Sequence, residues 1–589
     1  MRGTGTSLED RVAQLENKVG ILTQELAALR GATAAAPEGK SPPSETSPPP
    51  LSGAEASEEL IFWVDRAYIL PRIATTSFIL VVALSLRTLT DARIIDLELG
   101  TLIGMLYAFG LIIYGWSSYG RKSAQAPVFA LWGTIVLCSV VVETHRVFQS
   151  LPTVIAYLLL ALTGWTTVIM SRRYQAALPV FAGTIGMSFA AFAINFPSPI
   201  FPLLTIILIL ANAFAAYATH LLRASWLRWL LLILTLLMIQ IWTLKLGIYL
   251  DKVAPADLDP SLQWFLPAIA ALAFAYSVIA LLGVLGRLQD RVSKFDIVLP
   301  VINVIWFFFA ARSAIGHGLT EPHLFAFPAL TAGAAHLGVA WWLARRGTAE
   351  AHGTTSFALA GGLLLSLALP LAFGHALLAS TAIAALALGL GLAAERMANG
   401  GVRLVSYLLQ FYATASLVFL LQSTDKTEPS LIGAAASGLL ALIGAYHYYW
   451  ARQHPPPSAG TLTDRFNADD RCAALLLVAA LTSGFFTLRT GLYQALVAAH
   501  IATPQAFSSG QSILIDATAI ILLLVGLNQR NKELRNVGIL IALVATAKVC
   551  LDLLGLKGFP LLLSLFSFGS VATIASIVLG RWGRSASRD

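Results

Sequence analysis

The stretch Gly538–Gly558, GILIALVATAKVCLDLLGLKG, decides how the chain is read. It has the roughly 20-residue length of a membrane-spanning helix. Lys548 and Asp552 sit inside this otherwise apolar run, four residues apart. That spacing puts both on one helix face, within reach of each other. A charge at that depth must be paired, snorkel out or face a polar interior. The remainder of the chain is therefore expected to supply such an environment.

Composition extends this reading to the whole chain. The 589 residues are 57% hydrophobic and 12% charged, with mean hydropathy +0.74. A soluble globular chain carries about 25% charged residues. Apolar runs of about 20 residues recur from near Tyr68 to the end, which makes this an all-α polytopic membrane protein. We count about eighteen spans; the closely spaced pair around Gly374–His375 reads either as two spans or as a re-entrant feature.

The loops test the count. Basic residues follow the even spans: Arg121/Lys122, Arg172/Arg173, Arg223/Arg228, Arg345/Arg346, Arg396/Arg403, Arg452 and Arg530/Lys532/Arg535 among them. The odd loops are poor in them, and the one near Asp251 is net acidic. This alternation follows the positive-inside rule and predicts an inner (plasma) membrane protein with both termini cytoplasmic. The net charge of +8 is thus spent on topology, and no nucleic-acid-reading motif is present. Cys138, Cys472 and Cys550 lie in or beside apolar runs and read as small hydrophobes. The N-terminus has no apolar core and is no signal peptide.

Residues 1–30 read as a short coiled coil. Leu8, Val12, Leu15, Val19, Leu22, Leu26 and Leu29 form an a/d seam, with valine at a and leucine at d, a choice that favours a parallel homodimer. Residues 31–60 are a Pro/Ser/Ala-rich tether that cannot pack. Residues 61–589 form the multi-span domain.

With topology set, depth follows. Lys548 lies about 20 Å into a core of about 30 Å, towards the outer side. Asp552, Asp516, Arg489, Arg312, Lys245 and Glu143 also fall in outer halves or at outer ends of spans. These seven residues are the candidate lining of an outer-half polar pocket; the competing reading has the long basic side chains snorkelling to headgroups. His145, His317, His323, His375 and His500 fall at the outer side too. No HExxH, GxSxG or P-loop occurs, and Gly389-Leu-Gly391 lies mid-span with no strand before it. No catalytic residue, metal site or cofactor is expected, and no internal sequence repeat is evident.

The C-terminal third resembles a known family. Leu534-Arg535 opening a span, Lys548-Val549, Leu551-Asp552-Leu553, Leu556 and Ser567-Phe568-Gly569 are similar to the end of a family of bacterial membrane proteins catalogued as a domain of unknown function, number two thousand three hundred and thirty-nine. The Arg172–Phe201 region resembles another stretch of that family. The resemblance implies a cytoplasmic coiled coil, a proline-rich tether and about twenty spans. It also implies an arginine three residues before the Ser-Phe pair as a partner for Asp552; Ser564 stands there instead.

Three functions fit. The first is a transporter or flippase-like carrier of a small or amphiphilic envelope component. The second is a membrane-embedded transferase acting at the outer face, with His145, His317 or His500 as base. The third is a scaffold recruiting partners through the coiled coil. The seam itself is testable: a cysteine replacing Leu15 should crosslink chain to chain in membranes, and one replacing Asn17, on the outer face, much less. Equal yields would mean a helix lying on the membrane.

Overall fold

A computed structural model describes residues 66–586 except 197–198, 223–224, 253–259, 287–292, 320, 347–351, 425–429, 455 and 457–466. The coiled-coil seam and the tether lie outside the described residues. The chain divides into residues 1–52 and 53–589, and the second unit is the one described.

Its helices are α1 (Arg66–Asp91), α2 (Leu97–Gly120), α3 (Ala126–Arg146), α4 (Thr153–Tyr174), α5 (Ala177–Asn195) and α6 (Phe201–Leu222). There follow α7 (Ser225–Leu250), α8 (Phe265–Leu285), α9 (Lys294–Gly316), α10 (Pro322–Arg346), α11 (His352–Phe373) and α12 (Ala376–Arg396). The last six are α13 (Gly400–Thr424), α14 (Leu431–Gln453), α15 (Ala474–Ala498), α16 (Pro504–Asn528), α17 (Lys532–Gly555) and α18 (Phe559–Ala586). Among the described residues, 18 helices are long and apolar enough to cross a membrane. The chain is therefore a multi-pass membrane protein whose apolar surface meets lipid. Leu554, 87% exposed, and Phe566, 72% exposed, are at home only in such a solvent. The Gly374–His375 pair is a turn between two full spans, with Gly374 at φ +65°.

Packing follows chain order: the principal contacts join spans adjacent or next but one in sequence. The tightest are helical hairpins in which an even span meets the odd span after it. Glycine makes this possible. A Cβ on Gly115 of α2 would lie 2.8 Å from the Ala130 backbone nitrogen of α3, and one on Gly133 would lie 2.9 Å from Ile112 N. Between α16 and α17, a Cβ on Gly526 would lie 2.8 Å from Arg535 N. Lipid tails are as apolar as leucine, so helices gain mainly by such close backbone approach.

The even spans α4, α10, α12 and α14 carry arginine in their last turns, which marks one end of the helix array as arginine-rich. Two arginines taken from sequence as loop residues are instead buried there. Arg228, 6% exposed in the first turn of α7, makes a bidentate pair with Asp296 of α9. Arg403, 1% exposed in α13, donates to Asp470 at 2.7 Å and to the Ala451 carbonyl at 2.6 Å. Arg72 of α1 reaches the Ala124 carbonyl, just before α3, at 3.2 Å.

Gly133→Leu drives a side chain against backbone that cannot rotate away, and overpacking of this kind typically costs about 1–3 kcal/mol. It should lower the thermal midpoint of the purified protein by several degrees, whereas Gly110→Leu, with nothing within 4 Å of its Cβ, should not. Matched midpoints would mean that the α2 and α3 backbones do not touch.

Candidate functional site

Three C-terminal helices build a polar cluster. Ser508, Ser512 and Asp516 recur every four residues on one face of α16. Lys548 and Asp552 face them from α17, and Ser564 and Ser567 from α18. Lys548 Nζ forms an ion pair with Asp552 and donates to Ser508 Oγ at 2.8 Å. Asp552 accepts further bonds from Ser508 (3.2 Å), Ser512 (2.5 Å) and Ser564 (2.7 Å). Ser567 donates to Asp516 at 2.5 Å. Both carboxylates are 2% exposed. Lys548 thus pairs along its own helix, and Asp516 is tied to α18. Asp552 is thus held by a lysine one turn earlier on its own helix and by serine hydroxyls of α16 and α18. Every partner lies within the cluster, so it is a closed network.

The other four residues are dispersed. Lys245 Nζ sits over the Phe196 and Trp242 rings, at 4.1 and 4.5 Å from their centroids. The Arg489 guanidinium lies over Phe486 and Phe507. Arg312 is exposed at the end of α9, beside Gly316. Glu143, in the last turn of α3, pairs with Arg87 of α1 at 2.6 Å. Among the histidines, His145 Nδ1 lies 2.8 Å from the Leu151 carbonyl and His317 Nδ1 lies 2.7 Å from Asp251.

Glu143 leads to a site that the sequence did not indicate. A cleft of about 840 Å³ runs between α3 and α5. Its walls are apolar: Leu131, Ile135 and Val142 on one side, Phe181, Ile185 and Phe189 on the other. Its charged groups, Arg87, Glu143 and Arg146, all sit at one end. From Leu131 to Glu143 the helix rises about 18 Å. The cleft is therefore a long apolar slot capped by charge at the arginine-poor end. Behind it, a smaller cavity of about 240 Å³ between α1, α2 and α3 shares Arg87, Ile135, Ser139 and Glu143 with the cleft. Thr90, Thr101 and Thr144 give that second cavity a hydroxyl lining. The Arg87–Glu143 pair stands on the wall common to both.

Arg87 was missed because it stands near the end of its span, where an arginine ordinarily snorkels. Its one sequence signal is register: α1 and α3 run the same way, so their last turns share an end. Among the described residues, no group of three or more His, Cys, Asp or Glu side chains is placed to hold a metal ion. No protein-family model, curated protein or solved structure matches the chain.

Removing one partner of a buried ion pair typically costs about 3–5 kcal/mol, whereas removing both can be nearly neutral. Lys548→Leu or Asp552→Leu should sharply lower the amount of protein in membranes, and the double change should recover much of it. Recovery should be incomplete, because Ser512 and Ser564 lose their acceptor. Additive losses in that cycle would mean the two charges are not coupled.

Proposed function

We propose that this is a carrier of an amphiphile, a flippase-like protein whose binding site is the α3–α5 cleft. The observation that carries the reading is the cleft's polarity: an apolar slot about 18 Å long with charge at one end. An acyl or isoprenoid chain fits the slot, and its polar headgroup meets Arg87, Glu143 and Arg146. Ligand sites are mostly apolar with a few placed polar groups, and the cleft volume lies in their usual range.

The arginine-rich ends of the spans face the cytoplasm in this reading, by the positive-inside rule. The headgroup end of the cleft then lies in the outer leaflet of the inner membrane. Resemblance of the C-terminal third to the bacterial membrane family of unknown function agrees with that placement. So does the N-terminal seam, which would dimerise on the cytoplasmic side. The transferase reading gains less support: His145 faces a backbone carbonyl and His317 an aspartate, and neither residue lines the cleft.

The full-length protein, purified in mild detergent and examined by native mass spectrometry, should carry a bound amphiphile. Ile185→Trp puts an indole into the slot and should reduce that occupancy about tenfold, equivalent to about 1.4 kcal/mol. The thermal midpoint should change little, since Ile185 is only partly buried. A wild-type protein without bound amphiphile, or an Ile185→Trp variant that binds as well as wild type, would remove the cleft from the mechanism.

A further inference from the structure

In hydrocarbon, a buried polar atom with no protein partner costs several kcal/mol, so such atoms mark where water or a polar ligand enters. Three occur on α13 and α14, inside the spans. Gln410, 0% exposed, has neither its amide oxygen nor its amide nitrogen hydrogen-bonded, and His447, also 0% exposed, has an unpartnered Nδ1. Glycines keep the space around them. A Cβ on Gly391 of α12 would collide with the His447 ring, and one on Gly444 of α14 would lie 3.4 Å from Gln410 Nε2.

These atoms belong to a longer row. Arg403, Tyr407, Gln410 and Thr414 recur every three or four residues along α13, so they form one polar stripe. At the arginine-rich end the Tyr407 hydroxyl joins Arg403 on the Asp470 carboxylate, at 3.0 Å. One turn on from Arg403, Ser406 Oγ lies 3.4 Å from His447 Nε2. Gln410 follows, and then the Thr414 and Ser483 hydroxyls, 3.2 Å apart. On α15 the row continues through Thr487, whose hydroxyl lies 2.9 Å from Ser437 Oγ of α14. Thr490, 5% exposed, stands a turn beyond. Arg403 to Thr414 covers about 17 Å and Ser483 to Thr490 about 10 Å, together close to the hydrocarbon thickness of about 30 Å.

We propose that the α13–α14–α15 seam is a proton path across the membrane. Hydroxyls and the His447 imidazole relay the proton, and water, held at Gln410 and between hydroxyls that do not touch, bridges the row. Each relay group accepts a proton on one side and releases one on the other. His447 takes it at one ring nitrogen and yields it from the other, so its charge is unchanged after each transfer. Gln410 holds water through an acceptor oxygen and a donor nitrogen, which fits a molecule that both gives and takes hydrogen bonds. The groups facing His447 are the guanidinium of Arg403, the ring of Tyr407 and the indole of Trp450, with Asp470 behind Arg403. Asp470 compensates the Arg403 charge, so the arginine-rich end of the row carries a neutralised pair. The path is independent of the amphiphile cleft, which lies on other helices.

Purified full-length protein in liposomes enclosing a pH-reporting dye tests it, with a potassium gradient and valinomycin supplying the voltage. Wild-type vesicles should change internal pH faster than protein-free ones. Gln410→Leu removes the water-holding amide and should slow the flux about tenfold, equivalent to about 1.4 kcal/mol. Thr414→Val, which keeps side-chain volume and removes a hydroxyl, is the second variant should Gln410→Leu fold poorly. Radiolytic hydroxyl labelling of the wild-type protein should mark His447 and Tyr407 and spare Phe357, which is 1% exposed in an apolar cluster. Flux equal to that of protein-free vesicles, flux unchanged by both substitutions, or an unlabelled His447 would each overturn the path.

Discussion

A charge inside hydrocarbon must meet its opposite there, and the helix array depends on how this chain meets that demand. Arg228 is held by Asp296 with the Phe295 ring beneath it, 4.1 Å from the guanidinium. Arg403 is held by Asp470 and lies over the Trp450 ring. Both pairs join an odd span to the next odd span. Alternate spans run the same way, so their first turns share an end, and an arginine in one first turn can reach an acid at the start of another. The pairs staple α7 to α9 and α13 to α15, where hydrophobic packing alone gives little direction. Arg87 and Glu143 do the same for α1 and α3 at the opposite end. Asp296 also dictates a residue on a third helix: a Cβ on Gly283 of α8 would collide with its carboxylate.

The spans and the chemistry within one helix were legible in the sequence; the pairings between helices were not. Eighteen apolar runs and the alternation of basic loops are local patterns, and the helices follow them. Lys548 and Asp552 were readable as neighbours because a helix fixes which residues four apart meet. Arg228 and Arg403, in contrast, sit among loop arginines in the sequence, and nothing in their neighbours says that they turn inward. Their acids lie 68 and 67 residues away, a separation that no helical period encodes. The cleft was hidden for a related reason. Its walls are ordinary apolar residues, and a gap between α3 and α5 is a property of two helices, not of either one.

Those two pairs share a local pattern. In each case the arginine lies in the first turn of an odd span and its acid at the entry to the span two places on. The same acceptor spans also carry a common ending. Phe308-Phe309 stands three residues before Arg312 in α9, and Phe485-Phe486 three residues before Arg489 in α15. Arg72, in the second turn of α1, reaches only a backbone carbonyl just before α3. Apolar letters conceal the pattern, because lipid contact accepts almost any aliphatic residue, whereas a staple needs one arginine and one acceptor at fixed heights.

The array also constrains how distant sites influence one another. Each span packs mainly on neighbours within two places in the chain, as in other repeat architectures. Among the described residues, the principal contacts link α3 to α13 only through successive helix pairs. The bidentate Arg228–Asp296 staple between α7 and α9 resists shear better than aliphatic contacts do. The Lys548–Asp552–Asp516 cluster lies beyond the seam on α16–α18. Its partners are all internal, which makes it an anchor for the last three spans.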